Sequence, residues 1–308
     1  MQKEFFYISC DKKTKIHAVE WKPQGKVKAV LQICHGMAEY IERYAQFAEW
    51  LSQQGYYVVG NDHLGHGGSI HAEEDCGYFH KEKGNEYVIG DIRKLFLITR
   101  KQYHDVPYFM MGHSMGSFLL RQYLQTYGAG LSGAIIMGTG YNPQWMLYSG
   151  MAVCKILAFF KEERYRSRFV DKMVTGRLNK RFEPGETGKE WLSVNRDNVR
   201  RYTSDSKCGF VFTLNAYYHM FRGMKELTVK NMKEIPPELP VFFVSGKEDA
   251  VGDFGRGVRK VFAQYKKVGM KNLSIRLYSG LRHEILNETG RIEVFEDLRN
   301  WMEKNIKK

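Results

Sequence analysis

Residues 106–128 combine an apolar run, the pentapeptide Gly-His-Ser-Met-Gly at 112–116, and a stretch in which apolar residues recur at helical spacing. This order matches G-x-S-x-G, a sharp strand-to-helix turn that holds its serine in a strained backbone conformation with the hydroxyl exposed. The pentapeptide alone could be an ordinary glycine-rich turn. Its position between a predicted strand and a predicted helix is the context that the motif requires. Ser114 is therefore a candidate nucleophile.

Short apolar segments alternate with amphipathic segments over most of the chain. The first two, around the polar turn 11–14, predict an antiparallel hairpin. The pattern predicts further strands at 28–34, 56–62, 106–112, 131–138, 239–246 and 273–280. It predicts helices at 41–55, 86–103, 115–128, 257–269 and 291–306. Such alternation indicates parallel βαβ units and an α/β fold.

Residues 141–235 break this alternation, because they contain helix-like and irregular segments but no sequence typical of a core strand. So long a gap is too long for a loop. We therefore predict a core domain formed by 1–140 and 236–308, with a helical cap inserted at 141–235.

A serine nucleophile needs a base, and the base needs a carboxylate that fixes its tautomer. In this architecture they follow in the order Ser, Asp or Glu, His, at the ends of later strands. Asp249 follows the strand predicted at 239–246, and His283 follows the next strand. Asp253 and Glu248 are alternatives for the carboxylate, because sequence spacing does not give loop geometry.

The same reaction needs backbone N–H donors for the oxyanion. Met115, directly after the serine, is one candidate, and Met37, in the loop after the strand at 28–34, is the other. The alternative for the Met37 loop is a plain turn. Asp62, His63 and His66 could form a metal cluster, but no set of ligands with recognised spacing accompanies them. We predict no metal ion and no cofactor.

The formal net charge of +13 is spread along the chain and forms no single basic block. The simplest interpretation is a solvated basic surface, and the alternative is an anionic substrate or lipid surface. No nucleic-acid-binding module is present, so a nucleic-acid partner is not predicted. The sequence contains no uncharged apolar run of about 18 residues and no apolar signal region near residue 1. The expected location is the cytoplasm.

Four stretches, HGMAEYIERY, DHLGHGGS, GHSMGS and SGLRHEILNE, resemble the monoacylglycerol lipase and lysophospholipase branch of the α/β-hydrolase superfamily, which is also grouped with serine aminopeptidase-like hydrolases. The resemblance covers nearly the whole chain outside the cap. It implies an α/β-hydrolase fold: an eight-stranded, mostly parallel sheet flanked by helices, a helical cap after the sixth strand, and a Ser-Asp-His triad.

Two further family patterns match individual residues of this chain. H-G-x-x-E-x-x-x-R-Y matches His35, Gly36, Glu39, Arg43 and Tyr44. D-x-x-G-H-G-x-S matches Asp62, Gly65, His66, Gly67 and Ser69. The elbow departs from the family pattern at Ser117, where glycine is usual.

In the cap, residues 144–160 carry Lys155 as their only charge. We predict a helix buried over the active site; alternatively, this helix lines an acyl channel or touches lipid. The cap has 18 Lys and Arg against 10 Asp and Glu, a net charge of +8. This charge would suit phosphate head groups or peripheral contact with an anionic membrane, although a solvated face explains it equally well.

The predicted function is a serine carboxylic-ester hydrolase that acts on lipid esters through an acyl-enzyme, with monoacylglycerol and lysophospholipid as shared candidate substrates. One alternative is an aminopeptidase or thioesterase with the same triad. Another is a hydrolase-fold protein that binds a ligand without catalysis.

Overall fold

One sheet of eight strands organises the protein, for which a computed structural model describes residues 1–182 and 185–306. The strands are β1 (Gln2–Ile8), β2 (Lys15–Trp21), β3 (Ala29–Cys34), β4 (Tyr56–Asn61), β5 (Tyr108–His113), β6 (Gly133–Met137), β7 (Val241–Gly246) and β8 (Leu273–Tyr278). Their order is β1-β2-β4-β3-β5-β6-β7-β8. The pairs β1/β2 and β2/β4 are antiparallel, and the other neighbours are parallel. The predicted hairpin and the α/β-hydrolase sheet are confirmed.

Helices cover both faces of this sheet. One face carries α1 (Ala45–Gln53) and α10 (Arg291–Ile306). The other carries α2 (Gly84–Gln102), α3 (Met115–Tyr127) and α9 (Arg256–Lys267). Strands β3 to β7 are consequently buried at every position. This explains why they read as continuous apolar runs instead of alternating patterns.

Most element boundaries differ from the sequence prediction by one or two residues, and two of the differences have clear local reasons. The strand predicted from residue 239 begins at Val241, because Pro240 has no N–H to donate to the ladder. The helix predicted from residue 41 opens with a 3₁₀ turn at Ile41–Tyr44, and α1 starts only after it. The final helix has the predicted bounds.

Between β6 and β7, the described residues form five α-helices: α4 (Gln144–Lys161), α5 (Arg168–Thr175), α6 (Arg196–Ser204), α7 (Leu214–Lys225) and α8 (Val229–Met232). The described part of this segment contains no strand. Helix α4 packs on α7, which in turn contacts α2 and α3. The limits of the cap at 141 and 235 stay a prediction.

Helix α4 is confirmed as a helix, but the expectation that it is buried is wrong. Its buried residues are Leu147, Gly150 and Cys154. Its large apolar side chains are mostly exposed, namely Trp145, Met146, Tyr148, Ile156, Phe159 and Phe160. Along the described ranges, no helix combines the length and apolarity needed to cross a membrane.

Candidate active site

Ser114 lies at the turn between β5 and α3, with φ 53° and ψ −119°. A non-glycine residue at such a φ is strained and persists only where its surroundings hold it. The Ser114 N–H donates to the Met137 carbonyl at 3.1 Å, and the Ser117 hydroxyl donates to the Ser114 carbonyl at 2.6 Å. The strained turn that G-x-S-x-G predicts is therefore present, and the serine at 117 adds a hydrogen bond to it.

Two glycines let neighbouring backbone come close to this turn. A methyl group on Gly116 would overlap the carbonyl oxygen of Cys34, the last residue of β3. A methyl group on Gly36 would lie 3.2 Å from the β-carbon of Ser114. Because Cys34 pairs with Gly112 in the parallel ladder, the loop that follows β3 lies directly beside the serine.

Met37 and Met115, the residues predicted to supply the oxyanion donors, both line the cavity that contains Ser114. On either side of Met37, the amides of Gly36 and Ala38 donate to side-chain acceptors. Within residues 1–182 and 185–306, the N–H groups of Met37 and Met115 donate no hydrogen bond. Two uncommitted donors beside the serine have the chemistry of an oxyanion hole.

Asp249 and His283 come together from the loops after β7 and β8. A hydrogen bond of 3.0 Å joins His283 Nδ1 to Asp249 Oδ1, and both side chains are buried. The Ser245 hydroxyl and the Val251 N–H each donate to Asp249 at 2.8 Å. Burial raises the pKa of Asp249, but the His283 charge and these hydrogen bonds outweigh burial and hold the pKa below its usual value. The carboxylate is ionised and can orient the imidazole.

The two alternative carboxylates do not occupy this position. Asp253 is exposed and pairs with Arg256 at 2.8 Å. Glu248 makes no hydrogen bond to His283 among the described residues. Of the three candidates, Asp249 is the carboxylate in contact with the histidine.

The other ring nitrogen of His283, Nε2, is buried and has no hydrogen-bond partner in the part of the chain that the structure describes. His283 and Ser114 line the same small cavity. The Trp191 ring packs against the imidazole, with ring centroids 5.2 Å apart. An open imidazole nitrogen at the serine's cavity is where a general base would accept a proton.

Sequence reasoning gave no role to a buried ionic network beside this site. Glu39 Oε1 accepts a hydrogen bond from the Gly36 N–H at 2.6 Å. Arg43 donates to Glu39 at 3.2 Å and to Glu284 at 2.6 Å. The network therefore ties the loop after β3 to the residue that follows His283. In the sequence, the match of Glu39 and Arg43 to a family pattern was the feature that could have pointed to this network.

His113, the residue before the serine, belongs to the same network. Its Nδ1 lies 2.8 Å from the Tyr44 hydroxyl, and its Nε2 lies 3.2 Å from the His283 carbonyl oxygen. Burial lowers the pKa of His113, but the hydrogen bond and charge of Glu39 outweigh burial and raise it above its usual value. His113 thus holds the backbone of His283 in place.

Asp62, His63 and His66 do not converge on one point. Two backbone N–H groups donate to Asp62 at 2.7 Å each, and His17 Nδ1 lies 2.8 Å from it. Asp62 therefore fixes the loop after β4 to β2. The described residues contain no group of three or more His, Cys, Asp or Glu arranged to hold a metal ion.

Two cavities of different character meet at Ser114. The larger, of about 300 Å³, is lined in its described part by uncharged, mostly apolar residues, including Phe118, Met146, Leu147, Met173, Leu178, Trp191, Met220, Phe221, Met224 and Val251. The smaller, of about 50 Å³, has charged residues in its lining: Glu39, Asp171, Lys189 and Glu284. Ser114 thus lies between an apolar cavity and a polar cavity.

Residues 25–290 match the family described as serine aminopeptidase, S33, which is a hydrolase family. The chain belongs to this family. Its fold and its similarities place this family member in the monoacylglycerol lipase and lysophospholipase-like branch of the α/β-hydrolases, as the sequence motifs predict.

Three similar proteins of this kind illustrate the relationship. Monoglyceride lipase from Mus musculus is 25% identical over 301 residues, which cover 93% of this chain and 86% of the lipase. Phospholipase YtpA from Bacillus subtilis is 25% identical over 292 residues, which cover 93% of this chain and 99% of the phospholipase. A thermostable carboxyl esterase from Bacillus coagulans, solved in complex with glycerol, superposes with a TM-score of 0.92 at 29% identity and covers 99% of each chain.

Proposed function

We propose that the protein is a serine carboxylic-ester hydrolase that cleaves lipid esters through an acyl-enzyme on Ser114. The observation that carries this proposal is the Asp249–His283 hydrogen bond beside a strained serine that opens on an apolar cavity. The lipase and phospholipase relatives support the lipid class of the substrate.

In the proposed reaction, Ser114 Oγ attacks the ester carbonyl while His283 Nε2 accepts its proton. The N–H groups of Met37 and Met115 stabilise the oxyanion that forms. His283 then passes the proton to the leaving alcohol, and the acyl group stays on the serine. Water, activated by the same histidine, releases the acid. Asp249 keeps His283 in the required orientation throughout, and the cycle uses no cofactor.

The two cavities at Ser114 divide the substrate between them. The uncharged cavity suits an acyl chain, because pockets for such ligands are largely apolar. The polar cavity suits the leaving alcohol, since glycerol hydroxyls can hydrogen-bond to groups such as Asp171 and Lys189. Monoacylglycerol is therefore a fitting substrate. Lysophospholipid stays a second candidate because the cap, proposed as a unit spanning 141–235, carries a net charge of +8.

The exposed face of α4 fits peripheral contact with an anionic membrane. Phe159 and Phe160 are 84% and 73% exposed at the end of the helix, next to Lys161. Met146 and Met173 are both exposed and line the acyl cavity, so the cavity reaches the same surface. An apolar patch with flanking cations is typical of a helix that lies at a lipid interface. Substrate would then enter the cavity directly from the lipid.

An aminopeptidase is a weaker second candidate, favoured by the name of the family. Such an enzyme needs a carboxylate that is available for the substrate's amine. Of the three carboxylates in the polar cavity, Glu39 and Glu284 are engaged with Arg43, and Asp171 accepts a hydrogen bond from the Tyr217 hydroxyl at 2.7 Å. An ester or thioester substrate does not need that carboxylate.

Hydrolysis rates on monoacylglycerols, lysophospholipids, short esters, thioesters and aminoacyl amides test the proposal, with Ser114→Ala as the blank. We expect long-chain monoesters to react fastest and Ser114→Ala to lose both activity and fluorophosphonate labelling. Asp249→Asn should reduce kcat by about 10³ to 10⁴-fold, and the matched variant Asp253→Asn should retain activity. Labelling that persists in Ser114→Ala would identify a different nucleophile. Absence of turnover with every ester would favour a binding protein.

A further inference from the structure

Arg121 is a buried cation for which the described chain supplies no anion. It lies on α3, two turns after Ser114, and its side chain is 3% exposed. Its Nη1 donates to the Thr139 hydroxyl at 3.3 Å and to the Gly140 carbonyl at 3.2 Å, while its Nε has no partner. The buried Tyr265 hydroxyl lies beside the guanidinium and interacts with it, but it is neutral and supplies no counter-charge. Among the described residues the guanidinium forms no ion pair.

This arrangement is costly, because hydrogen bonds to neutral groups replace only part of the hydration that a buried charge loses. Burial lowers the pKa of Arg121, but a guanidinium remains protonated in proteins. The hydroxyl and carbonyl that it contacts are neutral, so they satisfy donors without neutralising charge. An anionic ligand would remove the cost.

A cavity of about 190 Å³ gives such a ligand access to Arg121. The cavity lies where α3 and α9 meet the base of the cap, and its described lining contains no Asp or Glu. Amide and hydroxyl groups on its wall can donate hydrogen bonds to an anion, and they belong to Asn142, Gln144, Thr228 and Gln264.

This cavity adjoins the apolar cavity at Ser114. Phe118, Asn142, Leu147 and Met224 line both of them. A chain that passes between these shared side chains would carry a polar end group from the Ser114 cavity into the Arg121 cavity.

From these observations we infer that the Arg121 cavity binds a carboxylate carried on an apolar chain. This inference rests on the proposed function for the assignment of the Ser114 cavity to acyl chains. The carboxylate has two chemical sources: the far end of the acyl chain of a substrate, or a released fatty acid bound with its carboxylate at Arg121. The guanidinium binds it as an ion pair, and the cavity amides complete its hydrogen bonds.

Binding of decanoate to Ser114→Ala protein tests the site without turnover, with decanol as the neutral probe of equal length. Isothermal titration should show decanoate affinity falling at least tenfold in Ser114→Ala/Arg121→Gln, while decanol affinity is unchanged. Arg93→Gln, which removes an arginine of α2 outside this cavity, should change neither affinity. The second source is tested with 4-nitrophenyl monoesters of decanedioic acid and of decanoic acid. Arg121→Gln should lower kcat/KM at least tenfold for the first ester only.

A preference for the carboxylate-bearing ligand that is lost in the Arg121→Gln variants supports the inference. Loss in the decanoate binding assay identifies a released fatty acid as the source of the carboxylate, and loss in the ester assay identifies the far end of the acyl chain. Unchanged selectivity in both assays, in a variant with a wild-type unfolding curve, overturns it. Should Arg121→Gln not fold, anomalous scattering from 2-bromodecanoate in Ser114→Ala crystals decides, because bromine marks the carboxylate end. A peak beside Arg121 supports the site, and a peak only at Ser114 overturns it. Decanoate binding does not require ester hydrolysis, so an inactive enzyme that still binds decanoate through Arg121 would refute the proposed function alone.

Discussion

Helix α4 has a more apolar sequence than helix α3, but α3 is the helix that is buried. Apolar residues make up 7 of 13 positions in α3 and 13 of 18 in α4. Yet ten residues of α3 are buried, against three of α4. The core helix is enclosed by the sheet, α2 and α7, whereas α4 contacts α7 and α5 and exposes most of its large apolar side chains. Apolar composition predicted a helix in both cases, but it did not predict what covers the helix.

Replacing one large apolar residue in each helix should give the largest contrast. Leu120 of α3 is fully buried, so Leu120→Ala should lower the free energy of unfolding by about 3 kcal/mol through lost burial and a cavity. Phe160 of α4 is exposed, so Phe160→Ala should change it by less than about 0.5 kcal/mol. Urea denaturation with a common m-value measures both. Equal losses would show that the α4 surface is covered in solution.

Asp91, a buried acid on the core helix α2, should make the free energy of unfolding depend on pH. The Ser9 hydroxyl and the Cys10 N–H donate to Asp91 at 2.7 and 2.6 Å, but burial raises the pKa of Asp91 to about 6. The folded state then binds a proton that the unfolded chain releases near pH 4. The contribution of Asp91 to the free energy of unfolding should therefore be greatest below pH 4 and should fall as pH rises through 6, by at most about 3 kcal/mol.

Asp91→Asn should remove this part of the pH dependence, as measured by urea denaturation between pH 4 and 7. Helix α4 contains no carboxylate, and its matched variant Lys155→Gln should leave the wild-type slope unchanged. An Asp91→Asn profile parallel to that of the wild type would mean that Asp91 titrates normally.

The smallest expected effect concerns the exposed end of α4. Phe159→Ser/Phe160→Ser should weaken binding to anionic phospholipid vesicles about tenfold, because each aromatic ring buries apolar area at a lipid interface. Turnover of a short soluble ester should not change. Leu97→Ser, at an exposed apolar position on α2, is the control. Vesicle sedimentation gives the affinity, and equal weakening by the control would remove α4 as the contact surface.

Much of the fold was predictable because its signals are local. Each parallel strand is a short apolar run, and Gly112 to Gly116 places a strained turn after one of them. Asp249 and Asp253 show where local signals end. They share one loop, and the backbone at Asp253 adopts a φ of 51°, with its side chain paired to Arg256 at the surface. Spacing alone carries no information on that turn.

The sequence by itself determined the order of strands and helices, the strand-to-helix turn at Ser114 and the family of the protein. These features depend on periodicity and on a few residues that are close in the chain. Only the tertiary structure decided that Asp249 contacts His283, that Arg43 contacts Glu284, and that Arg121 is buried without an anion from the described residues. It also decided which face of α4 stays exposed. Such contacts join residues distant in sequence, and they arise only when the sheet brings its loops to one edge.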